Sequence, residues 1–142
     1  MWQALRYSAV CCAITLSLGC DSVTGPTALS VDSVVSPLTG GPFPASGNVV
    51  GTTVEITGAL GSPDPCYSFA GRATLRSDTL HVRLLATPSA EACVQIIGAW
   101  QYSVSVRDVP AGEWNVRLDY ELRGTGPTQT LYSGRHRVGA QP

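Results

Sequence analysis

Apolar and polar residues alternate without a fault from Trp114 to Leu122. Trp114, Val116, Leu118, Tyr120 and Leu122 fall on one side, and Asn115, Arg117, Asp119 and Glu121 on the other. A period of two is that of a half-buried strand, so the first set is assigned to a core and the second to water. Trp100 to Val106 repeats the pattern, with Trp100, Tyr102, Val104 and Val106 inward. So does Thr79 to Ala86, with Leu80, Val82, Leu84 and Ala86 inward and His81 and Arg83 outward. Further strands are expected over Val49–Gly58, Cys66–Leu75 and Thr130–Val138. Arg76-Ser77-Asp78 turns between two of them. In Asp108-Val109-Pro110-Ala111-Gly112-Glu113, proline presets φ and glycine suits the fourth turn position.

No stretch of useful length carries the helical period; Ser89–Cys93 is long enough for one turn at most. Strands spaced by roughly 10–15 residues with Gly/Pro turns predict an all-β sandwich or barrel. Composition agrees. Charged residues make up 13% of the 142-residue chain, against roughly 25% in ordinary soluble domains. A long disordered tail needs more charge, and a coiled coil or helical bundle more Ala, Glu, Lys and Leu. The run from Val109 to Leu118 resembles the turn and strand F of immunoglobulin-like, fibronectin type III-like and transthyretin-like domains. Trp114 holds the aromatic place usually given to Tyr. The resemblance implies a single antiparallel Ig-like β-sandwich of about seven strands over residues 48–142, a fold and not an activity.

The amino terminus has a different character. Arg6 is the only charge before residue 21, and Tyr7 to Cys20 is uncharged. A basic start followed by a short apolar run is the pattern of a secretory signal peptide, too short for a transmembrane helix. The run ends Ser17-Leu18-Gly19-Cys20, which resembles a bacterial lipoprotein signal. In that family the Cys is acylated, palmitate being one such chain, and becomes the first mature residue; Ser17 stands where Leu is usual. The resemblance implies a signal peptide over 1–19, a lipid on Cys20, and a membrane-anchored location in a bacterial cell envelope. Residues 20–47 are rich in Pro and Gly and read as a tether. Leu29, Val31, Ser33 and Val35 alternate with Ser30, Asp32 and Val34, so this stretch is either a tether throughout or a tether with a first edge strand at 28–35.

With Cys11 and Cys12 removed in the signal and Cys20 acylated, Cys66 and Cys93 remain. An even remainder in an exported chain reads as a disulfide. Metal-ligand spacing is missing: there is no Cys-x-x-Cys, and the only His are His81 and His136. Nine Arg and no Lys against ten acids leave a net charge of −1, without the basic field that nucleic acid requires.

Candidate chemistry is sparse. There is no nucleophile elbow, phosphate loop or dinucleotide fingerprint. Parity sends His81 outward, and His136 sits between Arg135 and Arg137. Asp119 and Glu121 read as a solvated strand face rather than as paired catalytic acids. No catalytic residue and no cofactor are assigned. Three features have the residue types for binding: the aromatic set Tyr67, Phe69, Trp100, Tyr102, Trp114, Tyr120 and Tyr132, read mainly as core; Arg135-His136-Arg137, read as a charge-blunted edge strand; and the loop Gly61–Cys66 with its two prolines. The expected protein is a lipid-anchored envelope module without catalytic activity, presenting a sandwich surface to a partner. The alternative is a carrier or sensor of a small apolar or carbohydrate ligand in an aromatic-lined pocket.

Overall fold

The computed structural model describes residues 25–40, 43–62, 66–89, 98–123 and 128–139. They contain no helix and nine strands: β1 (Thr27–Leu29), β2 (Val31–Pro37), β3 (Ser46–Val50), β4 (Thr53–Ser62), β5 (Tyr67–Arg76), β6 (Thr79–Pro88), β7 (Gly98–Val106), β8 (Gly112–Leu122) and β9 (Gln129–Val138). A five-stranded sheet in the order β1-β5-β6-β8-β9 faces a four-stranded sheet in the order β2-β7-β4-β3. The fold is the expected all-β sandwich.

Two details differ from the expected seven antiparallel strands. The stretch Val49–Gly58 is two strands, because Gly51, at φ 60°, and Thr52 form a two-residue turn that pairs Val50 with Thr53. Glycine takes that left-handed φ without steric cost. The other difference is that β6 and β8 are parallel while every other described pair is antiparallel. The chain leaves the five-stranded sheet after β6, forms β7 in the opposite sheet, and returns as β8 in the original direction.

The segment read as a tether, either throughout or with an edge strand at 28–35, belongs to the sandwich over Thr27–Pro37. β1 pairs with β5, and after Ser30 the same extended run crosses to pair as β2 with β7. The Ser30 carbonyl at the crossing accepts from the Arg107 N–H at 3.0 Å. The sandwich therefore starts ahead of residue 48. Cys20, the stretch 1–19 read as a signal peptide, and Cys93 lie outside the described residues.

The core lies between the sheets, where parity placed it. Leu80, Val82, Leu84 and Ala86 of β6 pack with Val116, Leu118 and Tyr120 of β8; Val54, Ile56, Tyr102, Val104 and Val106 oppose them from β4 and β7. Burying each large side chain contributes about 1.5–3 kcal/mol. Phe69 and Trp100 meet across the sheets with ring centroids 6.0 Å apart. Trp114 and Leu122, at the two ends of β8, are only half-buried. The Trp114 indole N–H donates to the Pro110 carbonyl at 2.8 Å. Buried Val109 donates its N–H to the Thr52 carbonyl at 3.0 Å and pins the crossing from β7 to β8.

Candidate ligand-binding face

Hairpin geometry and strand register fill the outer face of the five-stranded sheet with arginine. Ser77 and Asp78 make a two-residue turn, with Ser77 at φ 54°, the left-handed value hairpin turns demand at their first position. That turn sets Arg76 opposite Thr79, Thr74 opposite His81, and Arg72 opposite Arg83. The parallel ladder then places His81 beside Arg117 and Arg83 beside Asp119. One row across the sheet reads Arg72, Arg83, Asp119, Thr130 and the next reads Thr74, His81, Arg117, Ser133.

These rows line an open concavity of about 820 Å³ whose walls include Arg72, Arg76, Arg83 and Arg117, with Asp78, His81 and Asp119. Four guanidinium groups stand against two carboxylates, in a chain of net charge −1. Arg72, Arg76 and Arg83 are exposed and form no ion pair among the described residues. Arg72 and Arg83 are also like charges directly opposite, an arrangement that costs stability in a sheet.

Asp119 forms the floor, and here the structure corrects the expectation of a solvated acid. Its residue exposure is 3%. A β-bulge in the β8–β9 ladder places Thr130 beside it. The Arg117 Nε donates to both carboxylate oxygens at 2.9 and 3.0 Å, and Thr130 Oγ1 donates to Oδ1 at 2.8 Å. His81 Nε2 lies 2.7 Å from Oδ2. An ionised carboxylate only accepts, so the imidazole carries its proton on Nε2 in this bond. Arg117 also donates to Thr130 Oγ1 at 2.9 Å, closing the network. Burial pushes the Asp119 carboxyl up, but the hydrogen bonds from His81, Arg117 and Thr130 and the Arg117 charge outweigh it and hold the group below the usual carboxylate range. With its oxygens so engaged, Asp119 makes no ion pair with Arg83 despite facing it in register.

The cluster is an acid, an imidazole and an orienting arginine. Among the described residues no Ser, Thr or Cys side chain hydrogen-bonds to His81, whose bond is to Asp119. Asp78 at the rim is held by Thr79 Oγ1 at 3.0 Å and Asn115 Nδ2 at 2.8 Å. No group of three or more His, Cys, Asp and Glu among the described residues is placed to hold a metal ion.

The other candidates fall elsewhere. Arg135 and Arg137, on edge strand β9, both bond to Glu113, at 2.8 and 2.9 Å. Hydrogen bonding from Arg137 and the charges of both arginines hold the Glu113 carboxyl below its ordinary value. His136 turns the opposite way, with Nε2 2.6 Å from Tyr132 Oη. Burial pushes the Tyr132 hydroxyl up, and that of core residue Tyr102 up to about 12. Tyr102 and Tyr120 are buried, whereas Tyr67, Phe69, Trp100, Trp114 and Tyr132 are half-buried. No Phe, Tyr or Trp side chain lines the arginine concavity among the described residues. In the Gly61–Cys66 loop, Gly61 and Cys66 are among the described residues, and the Cys66 carbonyl accepts from the Ser89 N–H at 2.8 Å.

Parity identified Arg83, Arg117 and His81 as outward without bringing them together. Arg72 and Arg76 were not singled out. The signal that finds them is the two-residue turn, which fixes Arg72 opposite Arg83. No family model matches the chain, and no characterised protein or solved structure matches it either.

Proposed function

We propose that the chain is a lipid-anchored, non-catalytic binding module of a bacterial cell envelope, and that it binds through the outer face of β5, β6 and β8. The observation that carries this reading is the convergence of Arg72, Arg76 and Arg83, all without an ion-pair partner among the described residues, on one concavity. Guanidinium groups without an ion-pair partner have donors available to a ligand, and Asp119 holds Arg117 and His81 on the same face. The anchor rests on Ser17-Leu18-Gly19-Cys20. A Cys66–Cys93 disulfide belongs to the same reading: the chain is exported, the remainder of cysteines is even, and Cys66 is not a free thiol.

Mass spectrometry of the envelope-purified protein checks the anchor, with an acylated Cys20 expected as the first residue. Photo-crosslinking checks the face. A photoreactive residue at Thr74 is expected to give an adduct in intact envelopes, and one at Ser103 on the outer side of the other sheet to give none. Equal yields from the two positions would overturn the assignment of the face.

A further inference from the structure

We infer that the arginine concavity is a phosphate-binding site and that its ligand is the headgroup of anionic lipid in the bilayer that holds Cys20. The inference rests on the anchored reading above and adds the ligand and the source of its charge. The chemistry comes from the side chains. Guanidinium groups present planar, paired donors that match phosphate oxygens. Arg72, Arg76 and Arg83 form no ion pair with a carboxylate among the described residues, and the two carboxylates that line the concavity are engaged elsewhere, Asp119 with Arg117, Thr130 and His81, and Asp78 with Thr79 and Asn115. A phosphate between Arg72 and Arg83 would also remove the repulsion that their register creates.

The source comes from the length of the chain. Pro26 lines the concavity, and only five residues, six Cα-to-Cα steps, separate it from Cys20. Fully extended, six such steps span about 20 Å. A lipid on Cys20 therefore keeps Pro26 within about 20 Å of the headgroup layer, at most about two to three Debye lengths at physiological salt. The Thr130 end of the row belongs to β9, where Arg135 and Arg137 share the Glu113 carboxylate, so that one positive charge of their two is offset. The larger share of unpaired positive charge, from Arg72, Arg76 and Arg83, thus lies on the side of the sheet nearer the tether, in β5 and β6.

The test uses the full mature chain, reconstituted through its lipid into phosphatidylcholine vesicles and into vesicles that also contain phosphatidylglycerol. Phenylglyoxal modifies accessible arginines, and mass spectrometry reads each position. Arg72, Arg76 and Arg83 are expected to be protected with phosphatidylglycerol and labelled without it, while Arg107, just past the end of β7 in the other sheet, is labelled in both. Raised salt should restore labelling. Arg72→Gln, with an unchanged melting temperature, should lower the protection of Arg76 about fivefold, the weight of one basic residue at an anionic surface. Equal labelling in the two vesicles would overturn the proposal. So would equal protection by inorganic phosphate in phosphatidylcholine vesicles, because the ligand would then be a soluble anion. Failure of the anchor itself is distinguished in the same spectra, where the amino-terminal peptide would lack acylated Cys20.

Discussion

His81 Nε2 lies 2.7 Å from Asp119 Oδ2, joining the two central strands that run parallel, at residues 38 apart in the chain. The bond makes Asp119 the one buried charged residue among those described and gives it a structural role that its alternation pattern conceals. Removing the carboxylate leaves three donors facing a hole. Asp119→Ala is expected to cost about 1–3 kcal/mol, the penalty for stranding buried polar partners. Glu121→Ala, two residues along the same face, should cost no more than about 0.5 kcal/mol. Urea unfolding of both variants checks this, and equal losses would contradict the role given to Asp119.

The strands were legible because period-two alternation is a local signal, and each of Leu80, Val82, Leu84, Val116 and Leu118 declares its face through its neighbours. What covers a face is not local. Asp119 is outward by parity, yet its burial depends on Thr130 arriving through a bulge in β9 and on His81 arriving through a parallel ladder. Neither strand's own pattern contains that register. Trp114 shows the opposite failure. Its parity is inward, but it sits near the end of β8 where the opposing sheet covers only part of it. The hairpin Arg72–Arg83 was readable in principle, since a two-residue turn determines every pair above it.

The centre of the core should accordingly be Leu118 rather than Trp114. Leu118→Ala is expected to cost about 2–5 kcal/mol, as a fully buried truncation does. Trp114→Phe keeps most of the apolar area but loses the bond to the Pro110 carbonyl, for about 1 kcal/mol. Denaturant titration of the two variants ranks them, and a Trp114→Phe loss equal to that of Leu118→Ala would refute the ranking.

Gly47 and Gly134 make room for the Tyr132–His136 pair. A Cβ on Gly47 would overlap Tyr132 Oη and come within 2.8 Å of His136 Nε2, and one on Gly134 would also overlap Tyr132 Oη. Gly47→Ala should therefore destabilise by about 1–3 kcal/mol, the range for overpacking. Gly61→Ala meets nothing within 4 Å and serves as the control. Similar melting temperatures for these two variants would show that β3 and β9 have slack between them.

Stability should fall at both extremes of pH, for different groups. The folded Asp119 carboxyl lies below its ordinary value of 3.8. Its contribution is therefore complete above about that pH and lost as the pH falls through the folded value, because the unfolded chain takes up the proton first. Asp119→Asn should flatten this acid limb. Glu113→Gln should hardly change it, although that carboxyl is also lowered, because its pair with Arg135 and Arg137 is exposed and screened by solvent. At the other extreme the Tyr102 hydroxyl is raised from 10.0 to about 12 by burial. The folded state keeps its proton where the unfolded state gives it up. Stability from this group is full below about pH 10 and declines as the pH rises from 10 towards 12. Tyr102→Phe removes the ionisable group without removing the ring, and should flatten the alkaline limb alone. Melting temperatures across the pH range, measured for the parent chain and the three variants, separate the effects. An acid limb unchanged by Asp119→Asn would mean that other carboxylates govern acid unfolding and that the His81–Asp119–Arg117 network contributes nothing to it.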